Sequence, residues 1–246
     1  MRIPTIQGII DRRMLVNFIA DPEVVQKILP QPFKPKVYNG KSIVGICLIR
    51  LKHVRPKGFP DFIGINSENA AHRIAVEWKE NEKTLEGVYI PRRDTSSLLN
   101  HFGGGRIFPG KHFHAKFDVE EKNGSYHIAF NSSDDTSISI DANVSNELDS
   151  NSIFKDLESA SEFFRKGSVG YSPNGNNYDG LKLTAFSWEV KPLKVSQVYS
   201  SFFDNEKIFP KSSVQFDNAL LMTNIKHEWE SVHTKLDCEC IAHQNS

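Results

Sequence analysis

The hydrophobic pattern of this chain reads mostly as strands. Ser42–Leu51, SIVGICLIRL, is a nearly continuous apolar run bounded by an Asn39-Gly40 turn and the turn chemistry of Arg55–Pro60, which predicts a central strand. Arg73–Trp78 and Gly87–Pro91 flank the polar link Glu80–Lys83 and predict a strand pair in a meander. His112–Glu120 and Ser125–Phe130 alternate in character around Lys122-Asn123-Gly124, and Asn-Gly between alternating segments predicts a hairpin. Ser132–Ser152 is polar apart from Ile138–Ile140 and reads as a short strand between loops. Leu181–Val190 alternates with period two, and Val195–Phe203 extends the sheet beyond Pro192.

Helical signals are short. Asp21-Pro22-Glu23 supplies an N-cap, a proline at the first helical position and an acid at the positive end, ahead of Val24, Val25, Ile28 and Leu29. Asp94 reads as the cap of a second helix reaching Phe102 and ended by Gly103, Gly104 and Gly105, and Leu157–Lys166 as a third, closed by Gly167. Tyr171–Gly180, with its Pro, Asn and Gly residues, reads as a loop.

Composition narrows the class. Seventeen Phe in a chain only 39% hydrophobic suit an aromatic, sheet-based core. With 246 residues and no internal repeat or linker, the expectation is one domain over residues 1–246, with a frayed tail around Cys238–His243. Thirty basic and thirty acidic residues cancel, so no net field favours nucleic acid or anionic membrane, and neither is an expected partner. The odd set Cys47, Cys238 and Cys240 fits a reducing compartment. Arg12 and Arg13 stand where a signal peptide would be apolar, and nowhere are there about eighteen consecutive apolar residues, so the expected location is cytoplasmic.

Four segments in a fixed order carry a family resemblance: VRPKGFP at Val54–Pro60, ENAAHRIAVEW at Glu68–Trp78, GVYIPRRDTSS at Gly87–Ser97 and GGGRIFPGKHFHAKF at Gly103–Phe117. Together they resemble the YqjF-like family, which is grouped with acetoacetate decarboxylase. The resemblance implies an α+β fold, mostly antiparallel: a curled or closed β-barrel with a few short helices around an internal pocket. It also implies a carbon–carbon lyase as one reading, because acetoacetate decarboxylase presents adjacent lysines, one forming a Schiff base with a ketone. Here the matching text is FPGKHF, which places that role on Lys111 with His112 in the position of the second lysine.

A Schiff-base lysine must be partly neutral near pH 7, several units below its usual pKa of about 10.4. An apolar pocket or a neighbouring cation achieves this, the latter being the known device of acetoacetate decarboxylase. A strand starting near Lys111 gives it the parity of Phe113, Ala115 and Phe117, with His112 and His114 on the other face. The resemblance places Glu68 and Arg73 as a charged pair near the pocket, and Arg73 or Arg106 suits a substrate carboxylate. Arg92 and Arg93 alternate, so only one can face a pocket. His112 and His114 are substrate-binding candidates; neither they nor Cys238, Cys240 and His243 complete a metal-site spacing, so no metal and no cofactor is expected. Gly103–Gly105 follow a predicted helix instead of opening one, which excludes a phosphate loop.

Three readings remain open: a binder of a small carbonyl- or carboxylate-bearing metabolite, a Schiff-base lyase acting through Lys111 on a keto acid, and an assembly module. The last would use Tyr199–Phe203 and Phe216–Met222 in a homo-oligomeric contact.

Overall fold

The computed structural model describes residues 4–97, 110–175 and 177–232. In chain order its strands are β1 (Ile6–Ala20), β2 (Lys34–Pro35), β3 (Val37–Tyr38), β4 (Lys41–Pro56), β5 (Ile65–Glu80), β6 (Lys83–Thr95) and β7 (His112–Lys122). There follow β8 (Ser125–Ser132), β9 (Ser137–Val144), β10 (Val169–Asn174), β11 (Asn177–Ala185), β12 (Lys191–Ser200) and β13 (Val214–Val232). Two α-helices, α1 (Pro22–Ile28) and α2 (Leu157–Lys166), accompany them among the described residues.

The strands form one mixed sheet that curls back on itself. Pairing runs β11-β10-β6-β7-β8-β9-β12-β13-β1-β4-β5-β2, and β11 also bonds β13 while β6 bonds β5. Two closed circuits result. The smaller is β6-β5-β4-β1-β13-β11-β10; the larger is β6-β7-β8-β9-β12-β13-β1-β4-β5. The parallel pairings are those of β6, with β10 along Val88 and Tyr89 and with β7 along Arg93–Thr95.

The strands common to both circuits have no solvent face along much of their length, which explains the unbroken apolar run of β4: every residue from Ser42 to Leu48 is buried. Val44, Ile46 and Leu48 pack with Met14, Val16, Ala70 and Ile74 in the main core. Ile43 and Cys47 face the other way and pack with Leu15, Ala71 and Ala75 beneath Phe163 and Phe164 of α2. α2 is fixed by a capping box, with the Asp156 side chain accepting from the Ser159 amide, and by Trp188 Nε1 donating to Ser161 Oγ at 2.9 Å.

Several expectations hold. α1, α2, the β5–β6 meander and the β7–β8 hairpin lie where the patterns placed them, the last turning through Asn123 (φ 50°) and Gly124 (φ 78°). Others change. Asp94 is a buried residue of β6 and not a helix cap; the predicted helix beyond residue 97 lies outside the described residues. Tyr171–Gly180 is no loop but most of the β10–β11 hairpin, in which Asn174 pairs with Asn177. The glycines and asparagines there serve a tight turn, and period two is lost because Gly170, Tyr171 and Ser172 are all buried. β1 occupies the N-terminal stretch around Arg12 and Arg13, where the pattern predicts no element. Phe216–Met222 lies inside β13, with Asp217 to Met222 buried, so its apolar character is accounted for within this chain.

Candidate functional site

A cavity of about 110 Å³ sits within the smaller circuit, and each of its seven strands contributes to the wall: Ile10, Leu51, Arg73, Val88, Gly170, Leu181 and Trp229 are examples. Register explains the polar lining. Leu15, Cys47, Ala71, Arg93 and His112 are successive partners across β1, β4, β5, β6 and β7, and residues on one rung of a sheet project from the same face. Cys47, Ala71, Arg93 and His112 accordingly share the cavity.

Arg73 reaches it by a different device. His72 pairs with Arg92, but Ile74 pairs with Tyr89, so the register shifts around Arg73 and leaves it without a β6 partner. Its β4 partner is Gly45, where a Cβ would collide with the Val16 carbonyl oxygen and stand 3.4 Å from Arg73 Nη2. The missing side chain gives the guanidinium its room. Arg73 is 6% exposed; its Nη2 donates to Asn17 Oδ1, its guanidinium lies 4.9 Å from the Phe164 ring centroid, and among the described residues its Nε has no hydrogen-bond partner.

Arg13, on β1, completes the cationic wall. Its Nε donates to Cys47 Sγ at 3.3 Å and its guanidinium lies 5.7 Å from the Trp188 ring. Arg93 Nε donates to Ser172 Oγ at 3.4 Å. Among the described residues none of Arg13, Arg73 and Arg93 has a carboxylate partner. Asp94 also lines the cavity, but its oxygens accept from Arg92 Nε at 2.9 Å and Nη2 at 2.6 Å, and Arg92 also binds Asp134. Burial pushes the Asp94 carboxyl upward and Arg92 opposes it. Burial lowers Arg73 and Arg93 each to about 10, against a smaller raising influence of Cys47, so both remain cationic at neutral pH.

The candidates named from sequence separate. Arg73 and His112 line the cavity. Glu68 does not accompany Arg73: it joins Arg12 and Arg50 in an ion network that includes Glu121. Lys111 is exposed, with its ammonium 4.7 Å from the Phe113 ring centroid; it precedes β7, and the rung through Arg93 brings its neighbour His112 to the wall. His114 is half-buried two residues further along β7 and is not among the lining residues. Arg106 lies outside the described residues, as do Cys238, Cys240 and His243. Of the Arg92–Arg93 pair it is Arg93 that contributes, as alternation requires. Arg13 and Cys47 were missed; the available signal was the pair Arg12-Arg13 next to Asp11 in a strand-length segment that is mostly apolar on either side.

The family model for an uncharacterized conserved protein, DUF2071, matches residues 10–221. The chain belongs to the DUF2071 family. This is the YqjF-like family that the ordered motifs resemble. No curated protein matches the sequence. The DUF2071 chain is similar in fold to an acetoacetate decarboxylase-like enzyme from Sphingomonas wittichii RW1, at 8% identity and TM-score 0.60, over 96% of this chain and 94% of that one. It is similar also to acetoacetate decarboxylase from Legionella pneumophila, at 14% identity and TM-score 0.57, over 94% and 88% of the two chains. A third likeness is to the enduracididine biosynthesis enzyme MppR complexed with pyruvate, at 10% identity and TM-score 0.54, over 95% and 90%. These likenesses establish the acetoacetate decarboxylase-like fold of this DUF2071 chain. No described helix is long and apolar enough to cross a membrane.

Proposed function

We propose that this protein binds a small carboxylate-bearing metabolite in the cavity of the smaller circuit. One observation carries the reading: three guanidinium groups, Arg13, Arg73 and Arg93, border a largely apolar cavity with no carboxylate partner among the described residues. Cations brought into such a place without counterions are costly, and an anionic ligand with an apolar body offsets that cost through charge-assisted hydrogen bonds. The size suits a metabolite of a few heavy atoms, and MppR, which shares the fold, is described in complex with pyruvate.

Calorimetric titration with pyruvate and acetoacetate, against acetone as the uncharged control, tests it. Both acids bind and acetone does not, and Arg73→Gln or Arg93→Gln weakens the acids about ten- to hundred-fold, the order expected when one partner of a buried charged hydrogen bond is truncated. Equal titration of wild type and both variants, or no heat with any acid, removes the reading.

The lyase alternative rests on Lys111, which is adjacent to His112 on the wall. It requires the exposed Lys111 side chain to turn inward when substrate is present. Borohydride reduction in the presence of acetoacetate, followed by peptide mapping, decides it: an adduct at Lys111 supports a Schiff base, and an unmodified Lys111 leaves binding alone.

A further inference from the structure

We infer that Cys47 is the nucleophile of this cavity and adds reversibly to the carbonyl carbon of a 2-oxo acid or aldehydo acid. The inference rests on the anion-binding reading above and goes beyond it by assigning a reacting atom.

Cys47 is a free cysteine, 4% exposed, that borders the cavity. Most buried cysteines serve as small apolar side chains. This one differs in its surroundings. Arg13 donates its Nε–H to the sulfur at 3.3 Å, so charge developing on sulfur has a cation in contact. On the same rung, Ala71 separates Cys47 from Arg93, and a small side chain there keeps the space between sulfur and guanidinium open. Arg73, nine-tenths buried, donates from Nη2 to Asn17, has no partner at Nε among the described residues and borders the same cavity. The cavity thus holds a nucleophilic sulfur and separate guanidiniums able to hold a carboxylate, the pairing that brings the adjacent carbonyl carbon of such an acid to the sulfur.

The step balances without a co-reactant. Sγ forms a bond to the carbonyl carbon, the C–O π pair moves to oxygen, and the proton of the thiol ends on that oxygen, giving a hemithioacetal or hemithioketal. Reversal restores both partners. With a haloacetate probe the same sulfur displaces halide: the S–C bond forms, the carbon–iodine pair leaves as iodide, and the thiol proton goes to solvent.

The test compares iodoacetate with iodoacetamide on the native protein, with rates at Cys47 followed by peptide mass mapping. A thiol without cationic neighbours reacts faster with the uncharged iodoacetamide. The expected result is a reversal at Cys47, with iodoacetate at least about ten-fold faster, and slowing of the labelling by glyoxylate. Arg93→Gln removes the reversal, and Arg73→Gln does the same where that variant folds. A Cys47 that is modified only after denaturation, or that reacts with iodoacetamide at least as fast as with iodoacetate, overturns the assignment. Titration of Cys47→Ser with pyruvate separates the two ideas: retained binding together with no iodoacetate preference in wild type leaves the binding site standing and removes the nucleophile, and loss of carboxylate binding in wild type itself removes both.

Discussion

Gly110 shows how narrowly one position constrains the wall of the cavity. Its φ of +91° lies in the left-handed region, and a Cβ would stand 2.7 Å from Cβ of Ser172, the residue whose hydroxyl accepts from Arg93. Either burden alone disfavours a side chain; together they exclude one. Gly110→Ala should therefore lower stability by about 1–3 kcal/mol, read from urea denaturation, and disturb Arg93 in proportion. Residue identity was legible in part. GKHF announced that this place matters, but which of Lys111 and His112 faces inward depends on where β7 begins against β6, a tertiary fact. Arg73 was legible as a cation within an apolar strand, whereas its separation from Glu68 follows from the ion network with Arg12 and Arg50, which no local pattern encodes.

At the scale of elements, α2 closes the second face of the sheet over Arg73. Phe163 and Phe164 are both buried, and the Phe164 ring backs the guanidinium. Phe164→Ala should cost about 3 kcal/mol of stability by cavity formation. It should also weaken carboxylate binding through loss of the ring that positions Arg73; thermal denaturation and titration on the same variant check both effects. Helix α2 was evident from its spacing and glycine stop, and the β7–β8 hairpin from Asn-Gly. The β10–β11 hairpin was hidden because its composition, rich in Asn, Gly and Pro, is what an irregular loop also uses. β1 was hidden for the opposite reason: Ile9, Ile10, Arg12, Arg13 and Met14 carry no turn signals that bound a strand, and only pairing with both β4 and β13 accounts for its length.

Over the whole molecule, buried histidines set the response to acid. Burial lowers His72 to about 3 and His227 to about 4 from an ordinary value of 6.5. Between those values and 6.5 the unfolded chain binds more protons than the folded one, so stability falls as pH drops through this window. Asp94, raised by burial, acts in the opposite sense near its own titration, and one carboxyl opposes two imidazoles. The melting temperature should fall from pH 6.5 towards pH 4, with a shallower slope in His227→Gln; a flat profile, or one unchanged by that substitution, contradicts the assignment. His72 lies against Phe202 in the main core, with ring centroids 4.5 Å apart, whereas the His227 ring lies 4.1 Å from the ring centroid of Trp229 on the cavity wall, so the sensitivity arises on both sides of the shared strands.

The strands common to both circuits are a party wall between two chambers. Ile46 and Cys47 are sequence neighbours that furnish different rooms. A change made to retune the ligand on one side presses on packing at the other, so substitutions along β4 and β5 are coupled in pairs of adjacent residues. Divergence of ligand preference within this architecture is therefore easiest on the β10–β11 hairpin, whose strands belong to the smaller circuit alone.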